Sequence, residues 1–144
     1  MTVKQLSVFV ENRPGRLSAI TRLLGDNGIN IRAMSIADTK DFGILRLIVN
    51  DADKALEILK NAGCSVTITN VLAIRISDRP GGLADAMDIL YKDNISVEYM
   101  YAAFINEQDE TAYLVLRVDS NDNAVTALNE SGFHLLSQEE LSRI

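Results

Sequence analysis

The sequence predicts an α+β protein made of two copies of one small module, each ordered strand, helix, strand, strand, helix, strand. Three observations predict it. Both prolines of the 144-residue chain occupy the same local phrase, Arg13-Pro14-Gly15-Arg16-Leu17 and Arg79-Pro80-Gly81-Gly82-Leu83, 66 positions apart. The apolar residues downstream repeat at that offset and then at an offset of 69, as in a duplicated unit with one insertion at a surface turn. Within each copy the apolar period switches between the alternation of strands and the 3.6-residue spacing of helices.

The register of the repeat is traceable residue by residue. Asn27, Ile29 and Ile31 fall on Asp93, Ile95 and Val97, and then Leu45, Leu47 and Val49 meet Leu114, Leu116 and Val118. Ala55, Leu59 and Gly63 meet Ala124, Leu128 and Gly132 at the longer offset. The extra residues fall in the polar run Asn106-Glu107-Gln108-Asp109-Glu110, which suits a hairpin loop.

In the first copy, Leu6, Val8 and Val10 alternate with Gln5, Ser7 and Phe9, giving a strand with apolar surface on both faces. Pro14 is expected at the first helical position, where its fixed φ fits, and Leu17, Ile20, Leu23 and Leu24 recur at helical spacing up to Gly28. Ile29 to Ala37 and Gly43 to Asn50 form two strands joined by the turn Asp38-Thr39-Lys40-Asp41. Asp51 caps a second helix whose inner face carries Ala52, Ala55, Leu56 and Leu59, Gly63 ends it, and Cys64 to Thr69 is the last strand. This order closes as a ferredoxin-like βαββαβ module, a four-stranded antiparallel sheet with both helices on one face. The modules are expected at 1–70 and 71–144. No Pro or Gly interrupts Ser65 to Arg75, so one strand runs nearly straight into the next. Ile44 to Val49 carries apolar side chains on both sides, and a module of about 70 residues builds only a modest core, so association is expected, with a homodimer as its simplest form.

Composition excludes several functions. A net charge of −6 without a Lys/Arg cluster repels phosphate backbones, so no nucleic acid is expected as a partner. No apolar run reaches the roughly 18 to 20 residues of a membrane span, and Met1 to Gln5 lacks the basic-then-apolar pattern of a leader, so a cytoplasmic location and no membrane partner are expected. Cys64 is the sole cysteine, which rules out an intramolecular disulfide and a cysteine-based zinc site. The sole histidine, His134, is expected to be a strand residue with an exposed or hydrogen-bonded ring, and Glu139 and Glu140 to belong to a solvated tail helix. With no triad, no glycine-rich phosphate loop and no three converging ligands, no catalytic residue, metal or cofactor is expected, and the chain reads as something other than an enzyme.

The repeated loop is the place where chemistry can sit. Asn12-Arg13-Pro14-Gly15 follows a strand and starts a helix, so unpaired N–H groups of the first turn face outward where a carboxylate can accept them. The side-chain carbonyl of Asn12 can accept from an ammonium group. Asn30, just past the helix end, is a second candidate. The residues alone leave two readings open: a cradle for a small zwitterion, or asparagines that only cap and turn the chain.

Glu11-Asn12-Arg13-Pro14-Gly15-Arg16-Leu17, followed by Asn27-Gly28-Ile29-Asn30-Ile31, resembles the pattern of amino-acid-binding ACT modules, and nearly the whole chain resembles small stand-alone proteins with two such modules in tandem. The resemblance implies a regulatory protein whose free amino acid ligand is held at the interface between modules. It implies a grip by the loop (Asn12, Arg13, Pro14, Gly15, Arg16, Leu17) and by the start of the second strand (Asn30, Ile31), with backbone donors at Gly15 and Arg16. The second copy departs from the pattern: Asp78 stands for Asn12 and Ser96 for Asn30, while Gly81, Gly82 and Leu83 keep the loop. An acid at Asp78 favours an ammonium and repels a carboxylate, so the two sites are expected to differ. Some serine-sensing members carry a histidine two residues before the loop asparagine; here that position is Val10. A ligand-free dimerisation module, or a regulatory subunit of an amino-acid biosynthetic enzyme, is the alternative.

Overall fold

The computed structural model describes residues 1–38, 41–106 and 108–143. Thr39 and Lys40 of the expected first turn, Glu107 of the expected loop insertion and Ile144 lie outside the described residues. The chain divides into two compact units, Lys4–Thr69 and a second that runs from Asn70 onward and includes Met1–Val3.

The first unit holds β1 (Val3–Glu11) from Lys4 onward, α1 (Arg16–Asp26), β2 (Ile31–Asp38), β3 (Phe42–Val49), α2 (Ala52–Asn61) and the first residues of β4 (Val66–Ser77). Its strands lie in the order β2-β3-β1-β4. The antiparallel register places Leu6 and Met34 on either side of Leu47, and Val8 and Ile36 on either side of Leu45. Because side chains alternate along a strand, this register aims one face at the helices, where Leu6, Leu45 and Leu47 are fully buried with Ile20, Leu24 and Leu59. The other face is buried at Gln5 and Ile48, yet Phe9 and Phe42 on it are more than half exposed.

The second unit repeats the arrangement with the rest of β4, α3 (Gly82–Lys92), β5 (Val97–Asn106), β6 (Thr111–Val118), α4 (Asn121–Glu130) and β7 (His134–Leu135), in the order β5-β6-β4-β7. A short α5 (Gln138–Arg143) follows, as the tail acids suggest. Leu72, Ile74, Leu90, Leu116 and Leu128 form the centre of its core. Among the described residues no helix is long and apolar enough to cross a membrane.

The first four helices end alike. In α1 the N–H of Ile29 donates to Leu24 O (2.9 Å) and that of Gly28 to Gly25 O (3.1 Å), the paired bonds of a Schellman motif. The same pair closes α2 at Gly63, α3 at Asn94 and α4 at Gly132. This motif explains why β2 begins at Ile31 and not at the expected Ile29, whose N–H is already committed to the helix. Likewise the last strand of the first copy begins at Val66, because Cys64 N–H donates to Leu59 O. It then runs unbroken to Ser77, as the uninterrupted junction predicts.

Helix starts come in two kinds. Asp51 caps α2 by accepting from Lys54 N–H at 3.1 Å, and Ser120 caps α4 through Asn123 N–H. By contrast α1 and α3 start at Gly15 and Gly81, in the left-handed region at φ 86° and 87°, with no side-chain cap. Pro14 therefore does not open the helix as expected. It stiffens the turn before a glycine whose backbone redirects the chain, and the helix begins at Arg16.

Candidate functional site

The two proline loops are held by matching hydrogen bonds. Asn12 N–H donates to Asp41 O (3.2 Å), Arg13 N–H to Glu11 O (2.9 Å), Arg16 N–H to Arg13 O (3.4 Å) and Ala19 N–H to Gly15 O (3.0 Å). In the second copy Asp78 donates to Glu110 O (2.8 Å), Gly82 to Arg79 O (3.0 Å) and Asp85 to Gly81 O (3.0 Å). Arg16 thus uses its backbone N–H inside the turn and does not offer it as the expected donor. Among the described residues, no acceptor meets the N–H groups of Gly15, Leu17 and Ser18, which are the open donors of the first turn.

An open groove runs beside this loop. Asn12, Arg13, Arg16 and Leu17 line it together with Val10, Glu11, Ile36 of β2 and Gly43 of β3. Gly43 keeps the wall low, since a Cβ there would press on Ile36 Cγ2 at 3.3 Å. Arg13 Nε pairs with Glu11 Oε2 at 3.1 Å, and Arg16 Nη2 lies 3.8 Å from Cys64 Sγ. Ile36 and Gly43 escaped the sequence reading because only the strand register brings them beside the loop.

Asn30 and Ile31 lie elsewhere. β2 enters beside Val49 and leaves beside Gly43, so Asn30 stands at the end of the strand remote from the loop, roughly 23 Å away at about 3.3 Å per residue. One module therefore does not bring Asn12 and Asn30 together. Asn30 is fixed through its backbone: its N–H donates to Asn50 Oδ1 (2.9 Å), while Asn50 N–H donates back to Asn30 O (3.1 Å). Ser96 and Asp119 repeat this pair in the second copy at 3.1 Å in both directions. Asn50 and Asp119 were missed in the sequence, although the repeat offset aligns them.

The second loop is built more tightly. Gly82 stands where the first copy has Arg16, and a Cβ on it would overlap the carbonyl oxygen of Ser77. Arg79, the counterpart of Arg13, turns to Asp85 in the first turn of α3 at 2.6 Å. Asp78 is exposed, and Leu83 packs against the module core.

His134 pairs through Nε2 with Glu140 Oε2 at 2.7 Å. Glu140 also accepts from Ser137 N–H (3.2 Å) while Ser137 Oγ accepts from Glu140 N–H (3.1 Å), a reciprocal capping box that starts α5. The hydrogen bond with His134, and then that from Ser137, holds the Glu140 carboxyl below its usual range. A carboxyl whose pKa falls on folding stabilises the fold above its unfolded value, and that contribution disappears as pH drops through the folded value. Glu140→Gln is therefore expected to flatten the acid limb of a stability-versus-pH curve followed by urea midpoints. An unchanged acid limb would contradict the pairing. Among the described residues no three His, Cys, Asp or Glu side chains converge.

Fold and loops together define a tandem pair of ferredoxin-like modules, each presenting an uncapped, proline-braced entry to its first helix. The chain belongs to the family described as the ACT domain pair, which matches residues 1–144. A solved structure of a protein from Bacteroides thetaiotaomicron is similar over the full chain, with 40% identity, a TM-score of 0.94 and 98% of that chain covered. The ligand-free regulatory subunit of aspartate kinase from Thermus thermophilus shares the fold at 13% identity and a TM-score of 0.65, covering 90% of this chain and 92% of that one. The corresponding subunit from Thermus flavus does so at 15% identity and a TM-score of 0.62, over 89% and 91%. A search of curated proteins returned no match.

Proposed function

We propose that the protein is a regulatory sensor of a free amino acid, not an enzyme, and that it works in the cytoplasm as a homodimer. The supporting observation is the open donor set of the first loop beside a groove lined by Asn12, Arg13, Arg16 and Leu17. The ligand carboxylate accepts from the N–H groups of Gly15, Leu17 and Ser18, in the field of the α1 N-terminus. Its ammonium is met by the Asn12 side-chain carbonyl. β2 is an edge strand with its far end at Asn30, so antiparallel pairing of β2 with the same strand of a second copy sets the partner's Asn30 beside this loop. The ligand then bridges two copies and shifts their association by binding one arrangement better.

The first copy is the working site. At the second, the exposed carboxylate of Asp78 repels a ligand carboxylate and Gly82 draws the loop onto Ser77. Calorimetry across the twenty amino acids is expected to give one ligand per chain. Asn12→Ala should weaken binding by about 10-fold or more, the scale of one hydrogen bond to a charged group. Flat heats for every amino acid at millimolar concentration would sink this reading. A second reading, a regulatory subunit for a biosynthetic enzyme, draws on the aspartate kinase subunits that share the fold. Co-purification with one such enzyme, without amino-acid binding, would favour it.

A further inference from the structure

The repeat supplies an internal comparison away from the proline loops. Each unit carries an open groove beside its first strand, at corresponding positions. Their linings have diverged. In the first, Phe9 lies opposite Ile44, Glu11 opposite Phe42, and Ser65 stands beside Phe9. In the second, the same places hold Arg75 opposite Tyr113, Ser77 opposite Thr111, and His134 opposite Arg75 on the other side. The first lining sets Glu11 and Arg16 beside Phe9 and Phe42, whereas the second sets Arg75 and His134 beside Ser77 and Thr111 and, among the described residues, holds no carboxylate.

We infer that the second-unit groove formed by Arg75, Ser77, Thr111 and His134 binds a small oxyanion, a carboxylate or a phosphate, at a site separate from the amino-acid loop. The Arg75 guanidinium lies 5.7 Å from the centre of the Tyr113 ring, so it is steered along the sheet, and no carboxylate pairs with it among the described residues. An unpaired guanidinium presents a planar fork that matches two oxygens of an oxyanion. Two residues along the strands, Ser77 and Thr111 face each other as a cross-strand hydroxyl pair. Thr111 Oγ1 is shut off from water and meets no hydrogen-bond partner, an unmet donor that a ligand oxygen satisfies after a turn of χ1. Glu140, which adjoins the groove through His134, is already engaged by His134 and Ser137, while the exposed Asp78 and Glu110 adjoin Ser77 and Thr111 along the chain. The first-unit groove also holds an arginine, Arg16, but there Glu11, at the position of Ser77, adds a carboxylate to the lining.

The test is a ¹H–¹⁵N NMR titration of the full chain with inorganic phosphate and, separately, with acetate, at constant ionic strength. Saturating shifts are expected at the amides of Ser77, Thr111, Gly132 and His134, with Phe42, Gly63 and Ser65 unmoved. Arg75→Gln, an exposed substitution, should weaken the response at least tenfold, and Thr111→Val should weaken it with Arg75 intact. Tighter phosphate binding assigns a phosphorylated ligand and tighter acetate binding a carboxylic acid. Shifts that never saturate, that appear equally at Phe42, Gly63 and Ser65 of the first-unit groove, or that persist unchanged in Arg75→Gln overturn the inference. The amino-acid response at Asn12 is read separately, so either conclusion can fail without the other.

Discussion

Replacing Gly82 by alanine is expected to destabilise the protein by about 3 kcal/mol or more, the upper range for forcing atoms into a filled space. The added methyl would occupy the position of the Ser77 carbonyl oxygen, and backbone cannot swing aside as a flexible side chain can. Relief requires α3 to lift from the end of β4, which would uncover Ala86 and Leu90 in the core of the second unit. Gly15 provides the control. It sits in the left-handed region but has open space around it, so Gly15→Ala should cost only the conformational penalty, about 1 to 2 kcal/mol. Urea unfolding followed by circular dichroism ranks the two. Equal losses, or a larger loss at Gly15, would contradict the close approach of α3 to Ser77.

The other large loss is expected from Leu47→Ala, at about 2 to 5 kcal/mol, because the side chain is fully buried and its removal leaves a cavity. Leu47 lies on β3 between Leu6 and Met34, beneath the helices of the first unit. Met34 points to the same face from the edge strand and is 45% exposed, so Met34→Ala should change stability by no more than about 0.5 kcal/mol in the isolated chain. The contrast separates a core strand from an edge strand of the same sheet. If β2 were covered as fully as β3, the two substitutions would cost alike.

The parts legible in the sequence were those encoded by short-range chemistry. Leu6, Val8 and Val10 announced their strand through alternation, Asp51 its cap through its place before an apolar run, and Gly28 and Gly63 their helix ends through the left-handed conformation that the Schellman bonds require. The duplication was legible because the prolines mark corresponding turns. Gly15 as the starting residue of α1 was not, because Pro14 fits a first helical position equally well and only the loop's bonds to Glu11 and Asp41 decide between them. The groove was legible in half. Asn12 to Leu17 are contiguous, whereas Ile36 and Gly43 reach them through pairing with β3 and β1. The separation of Asn30 from Asn12 within one module is also a matter of strand direction, invisible until the register is fixed. Arg75 carries no signal of its own in the sequence, since only the strand register sets Tyr113 and His134 on either side of it.

The proposed function requires the uncapped first turn of α1 to receive a ligand carboxylate. A crystal structure of the protein grown with the amino acid giving the largest calorimetric response measures this directly. Carboxylate oxygens are expected within about 3 Å of the Gly15, Leu17 and Ser18 nitrogens, the usual N–H···O range, with Asn30 of the partner subunit closing the site. An amino acid bound away from that turn, or a turn whose donors are met by the protein's own carbonyls in the crystal, would contradict it.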